Sequence, residues 1–581
     1  MDLASRWDRI ATDRAKGAAE RLHALLRAAW EWEMSEFPER ATWTGFPGQD
    51  DRWTDRSRAA IERRRRGTEA LLESARRIAR VELAAGDQLH LDLFVREIEQ
   101  SVEEKRWPVE LLAITQMDGV QQDPAQLLAL APAGSERKLE DVVARLERLP
   151  ALIEQTIALL EEGLARGITP PRVTLRDVPR QVENLVGADP GASALLAPFA
   201  RMPPELAHGE GRRLAQAARG VLESAILPAL RRLRGFLVER YLPGAREATA
   251  WRDLPDGEAW YAFKVREQTT TKLAPQEIHR IGLEEVARIR ARLEQTMREA
   301  GHAGDFASFC EFLRTDPRFY FRSGEELVKE YRDICKRIDP RLTALFGRLP
   351  RLPYGVTEVP AHSAESQTTA YYLPGTPEAA RPGWFHANTS KLGSRPRWEM
   401  EALSLHEAVP GHHLQIALAQ ELDLPEFRRH GLGCTAFVEG WALYAESLGG
   451  ELDCYRDPWS RFGRFSYEMW RAIRLVVDTG MHALGWSRER AIEYFAGNTG
   501  KPLHDITVEI DRYLVWPAQA LAYKIGELEI ARLRREASAA LGERFDLRAF
   551  HDELLGEGAL PLDLLAARMR AWVERRKGTA P

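Results

Sequence analysis

The sequence predicts a mostly α protein with a small antiparallel sheet. Three observations predict it. Apolar residues recur at helical spacing along most of the chain, strand-like runs are scarce, and the two best strand candidates flank one turn-rich loop.

Val142, Leu146, Leu149, Ile153, Ile157 and Leu160 follow one another at intervals of three or four. That interval keeps side chains on one helix face and gives them one side to bury. Pro150 falls inside this run and is expected to kink or divide it, because it has no N–H for the carbonyl four residues back. Ile278, Gly282, Val286, Ile289, Leu293 and Met297 form a second stripe. Pro275 stands at its start, where a missing N–H costs nothing. Between the stripes, residues 241–257 (YLPGAREATAWRDLPDG) break the helical pattern. This reads as an N-terminal helical region, 1–240, and a site-bearing helical region with the small sheet, 241–581; the two can share one core.

The strand candidates are Gln367–Leu373 (QTTAYYL) and Trp384–Thr389 (WFHANT), joined by the turn-rich Pro374–Gly383. They read as a hairpin with a long loop. An exposed strand at Gln367–Tyr372 or at Trp384–Asn388 could take an extended peptide by strand addition.

Composition narrows the function classes. Hydrophobic residues are 44% and charged residues 29% of 581, which fits a globular chain and argues against disorder or a fibre. Lys and Arg total 82 against 87 Asp and Glu, so no global positive field invites nucleic acid. The four cysteines, Cys310, Cys335, Cys434 and Cys454, form no CxxC pair and read as buried or reduced free thiols. The N-terminus has no apolar secretory core, and no stretch reaches the ~18 apolar residues of a membrane helix. A cytoplasmic protein without a membrane partner is expected.

The chemistry concentrates at His406-Glu407-Ala408-Val409-Pro410-Gly411-His412-His413. Three of the chain's 14 histidines lie in these eight residues. In the zinc motif HExxH, two histidines one helical turn apart bind the metal and the glutamate between them is the general base. Here Pro410 stands where the second histidine would be, and a local bulge at Pro410-Gly411 is expected. A bulge absorbing two residues returns His412 to the direction of His406. His406 and His412 are therefore the favoured ligands, with His413 as the rival for the second place. Glu439, which opens EGWALYAE, is the candidate third ligand, and Glu446 a carboxylate to orient a histidine N–H. Two His and one Glu leave a fourth position for water, as in catalytic zinc sites. Zinc would lower the water's pKa toward ~7 and Glu407 would take the proton.

HEAVPGHHLQ, followed by EGWALYAE, DTGMH and RYLVWPAQALAYKIGE, resembles the bacterial DUF885 family, and YLPGAR and TTTKLAPQEIHRIG extend the likeness over most of the chain. That family is itself similar to the helical gluzincin zinc peptidases of the thimet oligopeptidase, angiotensin-converting enzyme and carboxypeptidase Taq types. The resemblance implies a two-lobed helical architecture with a deep channel, the zinc helix on its floor and the sheet along one wall. It also implies oxyanion donors opposite the metal: Tyr523 first, then Tyr513 and His482. Arg512 and Lys524 are candidate partners for a peptide carboxylate. The expected function is a zinc-dependent metallohydrolase, one Zn2+ per chain, cleaving short peptides or another small amide. A metal-dependent esterase or non-peptide amidase, and an inactive helical binding protein, are the alternatives.

Overall fold

Both apolar stripes are the inner faces of long helices. The computed structural model describes residues 3–578, except 188, 361–363, 365–367, 378, 379 and 432. Helix α1 (Glu136–Ala165) buries Val142, Leu146, Leu149, Ile153 and Leu160 and half-buries Ile157. Ser135 caps it by accepting the N–H of Lys138. Pro150 does not divide the helix, which runs unbroken for 30 residues. Its missing N–H removes one bond, while Leu146, Leu149, Leu152 and Ile153 stay buried on either side. Helix α2 (Pro275–Glu299) buries all six residues of the second stripe.

The chain divides into two units. One comprises Met1–Thr249, Asp253–Pro255 and Pro425–Phe427; the other comprises Ala250–Arg252, Asp256–Leu424 and Arg428–Pro581. In the first, α1 packs against the helices Glu210–Val221 and Leu227–Phe236. Every candidate site residue lies in the second.

The second unit holds helix α3 (Gly324–Ile338) and a three-stranded sheet of β1 (Tyr354–Glu358), β2 (Ala370–Leu373) and β3 (Gly383–Ala387), in the order β1–β3–β2. Strands β2 and β3 are antiparallel, with Tyr372 opposite Phe385, which is the expected hairpin. Gln367 lies outside the described residues. Strand β1 runs parallel to β3, with Val356 opposite Phe385, so the sheet is mixed rather than antiparallel. The sequence reading missed β1 because YGVTE buries only Val356 and shows no alternation.

This topology corrects one expectation. Strand β3 is central and paired on both sides, so Trp384–Asn388 offers no free edge. Arg332 of α3 donates to the carbonyl of Val356 at 3.0 and 3.1 Å, which occupies an outer acceptor of β1. The sheet's two edges are β1 and β2, and in β2 the Ala370 carbonyl accepts from the Thr368 hydroxyl at 3.0 Å. All four cysteines are buried and outside any disulfide. No helix among the described residues is long and apolar enough to cross a membrane.

Candidate metal centre

Helix α4 (Met400–Glu407) presents His406 and Glu407 in its last turn, and α5 (His412–Glu421) starts with His412. The expected bulge inside one helix is an interruption between two. Pro410 has no N–H for the carbonyl of His406, and the Val409–Pro410 peptide is cis. Gly411 then passes so close to α4 that a Cβ there would lie 2.0 Å from the His406 carbonyl oxygen and 2.3 Å from that of Leu405. Only glycine fits that approach. The N–H of His413 returns to the Ala408 carbonyl at 3.1 Å, five residues back.

Helix α6 (Thr435–Ser447) carries Glu439 and also holds this turn. Trp441, two residues beyond Glu439, donates its indole N–H to the Pro410 carbonyl at 2.8 Å. Helices α7 (Pro458–His482), α8 (Leu503–Val515) and α9 (Gln519–Leu541) complete the surroundings. Helix α9 crosses α6 where Gly526 meets Gly440. A Cβ on Gly526 would lie 1.8 Å from the Ala436 carbonyl oxygen. That close crossing brings Tyr523 beside His406, with ring centroids 6.4 Å apart and planes 13° from parallel.

Three donor atoms converge. Oε2 of Glu439 is 3.7 Å from Nε2 of His406 and 3.4 Å from Nε2 of His412. The three ligand atoms lie within 4.8 Å of one another. Ligand atoms ~2.0–2.1 Å from a tetrahedral zinc stand ~3.4 Å apart, so the spacing fits one such ion. Oε2 of Glu439 and Nδ1 of His412 are buried with no hydrogen-bond partner. An unpaired buried carboxylate oxygen is costly, and a cation between the three side chains relieves it.

Glu446, 1% exposed, stands behind His406 with Oε1 2.8 Å from Nδ1. A carboxylate accepts only, so Nδ1 carries a proton, and once Nε2 gives up its own its lone pair faces Glu439. Burial pulls the His406 imidazole down, but Glu439 and Glu446 outweigh it and push the group up to about 9. Burial raises the Glu439 carboxyl, but His412 and His406 beside it hold the group well below the usual range. Glu407 follows His406 by one residue. It is 8% exposed and accepts no hydrogen bond from a described residue.

The structure brings His406, His412 and Glu439 together, with Glu407, Glu446 and Tyr523 around them, and it separates His413 from this group. One residue past His412 is ~100° further round the helix, and His413 faces the sheet instead. Its Nδ1 pairs with the Tyr372 hydroxyl at 2.9 Å, its ring lies against Tyr354 at 4.6 Å, and it also bonds the Leu352 carbonyl. The ring is therefore committed to the sheet, away from the triad.

Three further expectations are corrected. His482 is fully buried; Nδ1 accepts the Trp251 backbone N–H at 3.2 Å and Nε2 meets the Tyr513 carbonyl at 3.0 Å, so it offers no proton to a substrate. The Tyr513 hydroxyl donates to Glu509 at 2.7 Å and accepts from Arg474 at 2.9 Å and Trp470 at 3.2 Å. Lys524 is fully buried among Glu468, Glu527 and Glu285 at 2.9, 2.8 and 3.0 Å, and has no capacity left for a substrate carboxylate.

Sequence reasoning missed Arg471 and Arg474 of α7. Arg471 approaches Glu446 at 3.5 Å, and the Arg474 guanidinium lies 4.4 Å from the Tyr523 ring centre. Their signal was present in RAIRLVVDTG: two arginines three residues apart beside an apolar run, a pattern that puts charge on a buried helix face. An apolar cavity of about 40 Å³, lined by Leu293, Phe306, Leu313, Phe462 and Met469 among others, is separate from the triad, none of whose residues lines it.

Two buried histidines set an acid response. Burial pushes His413 down to about 4. It does the same to His551 in α10 (Leu547–Leu555), whose nitrogens meet the Leu345 carbonyl at 2.8 Å and the Tyr444 hydroxyl at 2.9 Å. Below pH ~6.5 the unfolded chain takes up protons that the fold refuses. The contribution of each histidine to stability is therefore lost as pH drops from ~6.5 toward 4, by at most about 1.4 kcal/mol per unit. Melting temperatures between pH 7 and 5 check this. An equal slope in wild type and His551→Gln would show that His551 does not contribute.

The comparisons with known proteins follow this geometry over nearly the whole chain. A crystal structure titled "putative lipoprotein from Colwellia psychrerythraea" superposes with a TM-score of 0.90 at 25% identity, covering 96% of this chain and 100% of that one. A second, titled "putative lipoprotein of unknown function from Shewanella oneidensis", gives 0.72 at 17% identity over 94% and 99%, and shows the fold alone. No curated protein matches the chain. Residues 38–569 match the family described as "Bacterial protein of unknown function (DUF885)". The chain belongs to the DUF885 family.

Proposed function

We propose that the protein is a zinc-dependent metallohydrolase that cleaves short peptides. The observation that carries this reading is the convergence of His406, His412 and Glu439 on one ion-sized gap, with Glu446 fixing the His406 tautomer from behind. Two His and one carboxylate favour zinc by ligand chemistry and leave a coordination position open. When bound, zinc supplies Lewis acidity, which acidifies a water and polarises a carbonyl.

The chain's own residues supply the rest of the chemistry in this reading. Glu407 takes the proton from the attacking water and returns it to the leaving amine. Tyr523 offers its hydroxyl to the oxyanion that develops at the scissile carbon. Arg474 over its ring and Arg512 near its hydroxyl place positive charge where that negative charge grows. The edge strand β2 supports the choice of peptides, since an outer strand can pair with an extended chain.

Elemental mass spectrometry of the purified protein tests the centre. About one zinc per chain is expected in wild type, little in His406→Ala or His412→Ala, and the wild-type content in His413→Ala. Loss of zinc in His413→Ala with retention in His412→Ala would overturn the ligand set. Absence of metal from wild type, with none taken up from added zinc, would remove the hydrolase reading.

A further inference from the structure

The buried charges beside the triad do not balance. Arg471 and Arg474 of α7 and Arg512 of α8 gather around Tyr523 with centres 5.9 and 4.4 Å from its ring for the first two, and an Arg512 nitrogen 3.4 Å from its hydroxyl. Two carboxylates face these three guanidinium groups. Glu509 meets Arg474 at 3.1 Å and Arg512 at 3.6 Å. Glu446 lies 3.5 Å from Arg471 but is already bonded to His406.

One positive charge is left over, and so are donors. Nε of Arg471, a terminal nitrogen of Arg474 and Nε of Arg512 are each buried without a hydrogen-bond partner. Arg471 and Arg474 are 5% and 4% exposed. A guanidinium this enclosed normally spends its donors on carboxylate or carbonyl oxygens. An excess buried cation with unused N–H groups, all around one tyrosine, is a site for an anion.

We propose that this arginine cluster binds a carboxylate of the substrate, so that the enzyme acts on peptides at their free C-terminal end. The inference rests on the hydrolase reading above and adds the substrate class to it. A planar carboxylate suits the guanidinium fork, which gives two parallel charge-assisted bonds. Arg512 and Tyr523 form the approachable side of the cluster. The tyrosine hydroxyl is held there only by 3.4 Å contacts to Arg512 and Gln519. Bonds of that length are weak, so Arg512 exchanges its own for a carboxylate oxygen while the hydroxyl stays available to the oxyanion.

The position relative to the triad sets the cleavage mode. Tyr523 touches both groups: its ring parallels that of His406, and its hydroxyl meets Arg512. A carboxylate anchored on the arginines therefore lies within a residue or two of the scissile bond, which describes a carboxypeptidase or a dipeptidase.

The test uses 3-phenylpropionate and its neutral amide as probes, titrated calorimetrically into the full-length protein with and without zinc. The acid is expected to bind the metal-free protein about 10- to 100-fold more tightly than the amide, the difference a charge-assisted pair makes. Arg512→Gln should lower the acid's affinity about tenfold and leave the amide's unchanged. Equal binding of acid and amide by the metal-free wild-type protein would overturn the proposal, and this comparison needs no variant to fold. In parallel, the zinc-loaded protein is given an N-blocked tripeptide and its C-terminal amide. Preference for the acid in binding with no cleavage of either peptide would keep the anion site and remove the peptidase. Equal cleavage of both peptides, with no binding preference, would keep the peptidase and remove the anion site.

Discussion

Glu407→Gln is expected to retain the wild-type zinc content and to lower turnover of a short peptide by about 10²–10⁴-fold. Gln keeps the size and the helix position of Glu407 but cannot accept a proton. The proposed ligand set His406, His412 and Glu439 does not include residue 407, so metal binding has no reason to change. Glu407 is buried at the end of α4 and accepts no hydrogen bond from a described residue, which leaves its carboxylate available for proton transfer. Elemental analysis and peptide hydrolysis on the same preparation separate the two effects. Near-wild-type turnover with full zinc would mean that another group takes the proton, and the mechanism would fall.

Gly411→Ala is expected to cost both stability and metal. The added Cβ would stand 2.0 Å from the His406 carbonyl oxygen, and its neighbours are helix backbone, which cannot swing aside. Relief requires α4 and α5 to part, at a cost of about 3 kcal/mol or more. That movement separates His406 from His412, whose rings are now 4.8 Å apart, and strains the Trp441 bond to Pro410. A lower melting temperature and zinc loss under mild chelation are the expected results. Wild-type melting together with wild-type zinc retention in Gly411→Ala would show that the turn does not set the ligand geometry.

The two variants address different parts of one short segment. Glu407 acts through its chemistry and Gly411 through its lack of a side chain. A strict HExxH helix would need no such glycine, because four helical residues already return the second histidine to the same face. Here the return is made by a turn that depends on Pro410, Gly411 and a tryptophan from another helix.

Much of this was legible in the sequence because it depends on local pattern. The spacing of Val142 to Leu160 and of Ile278 to Met297 marked two buried helix faces, since a 3.6-residue period leaves a direct trace in the order of apolar residues. The cluster from His406 to His413 marked a candidate metal centre, and Glu439 and Glu446, seven residues apart, marked one helix face offering two carboxylates. The choice between His412 and His413 belonged to tertiary structure. It turns on where α5 restarts, which follows from the close approach of Gly411 to α4 and from Trp441, 31 residues away. The fate of His482, Tyr513 and Lys524 was likewise decided by partners far along the chain: Trp251, Arg474, and Glu285 with Glu468. Sequence order carries the period of a helix but not the identity of the group that packs against it. The candidate ligands His406 and Glu439 could therefore be named from the chain alone, whereas the choice of His412 over His413 and the gathering of Arg471, Arg474 and Arg512 around Tyr523 emerged only when the helices were brought together.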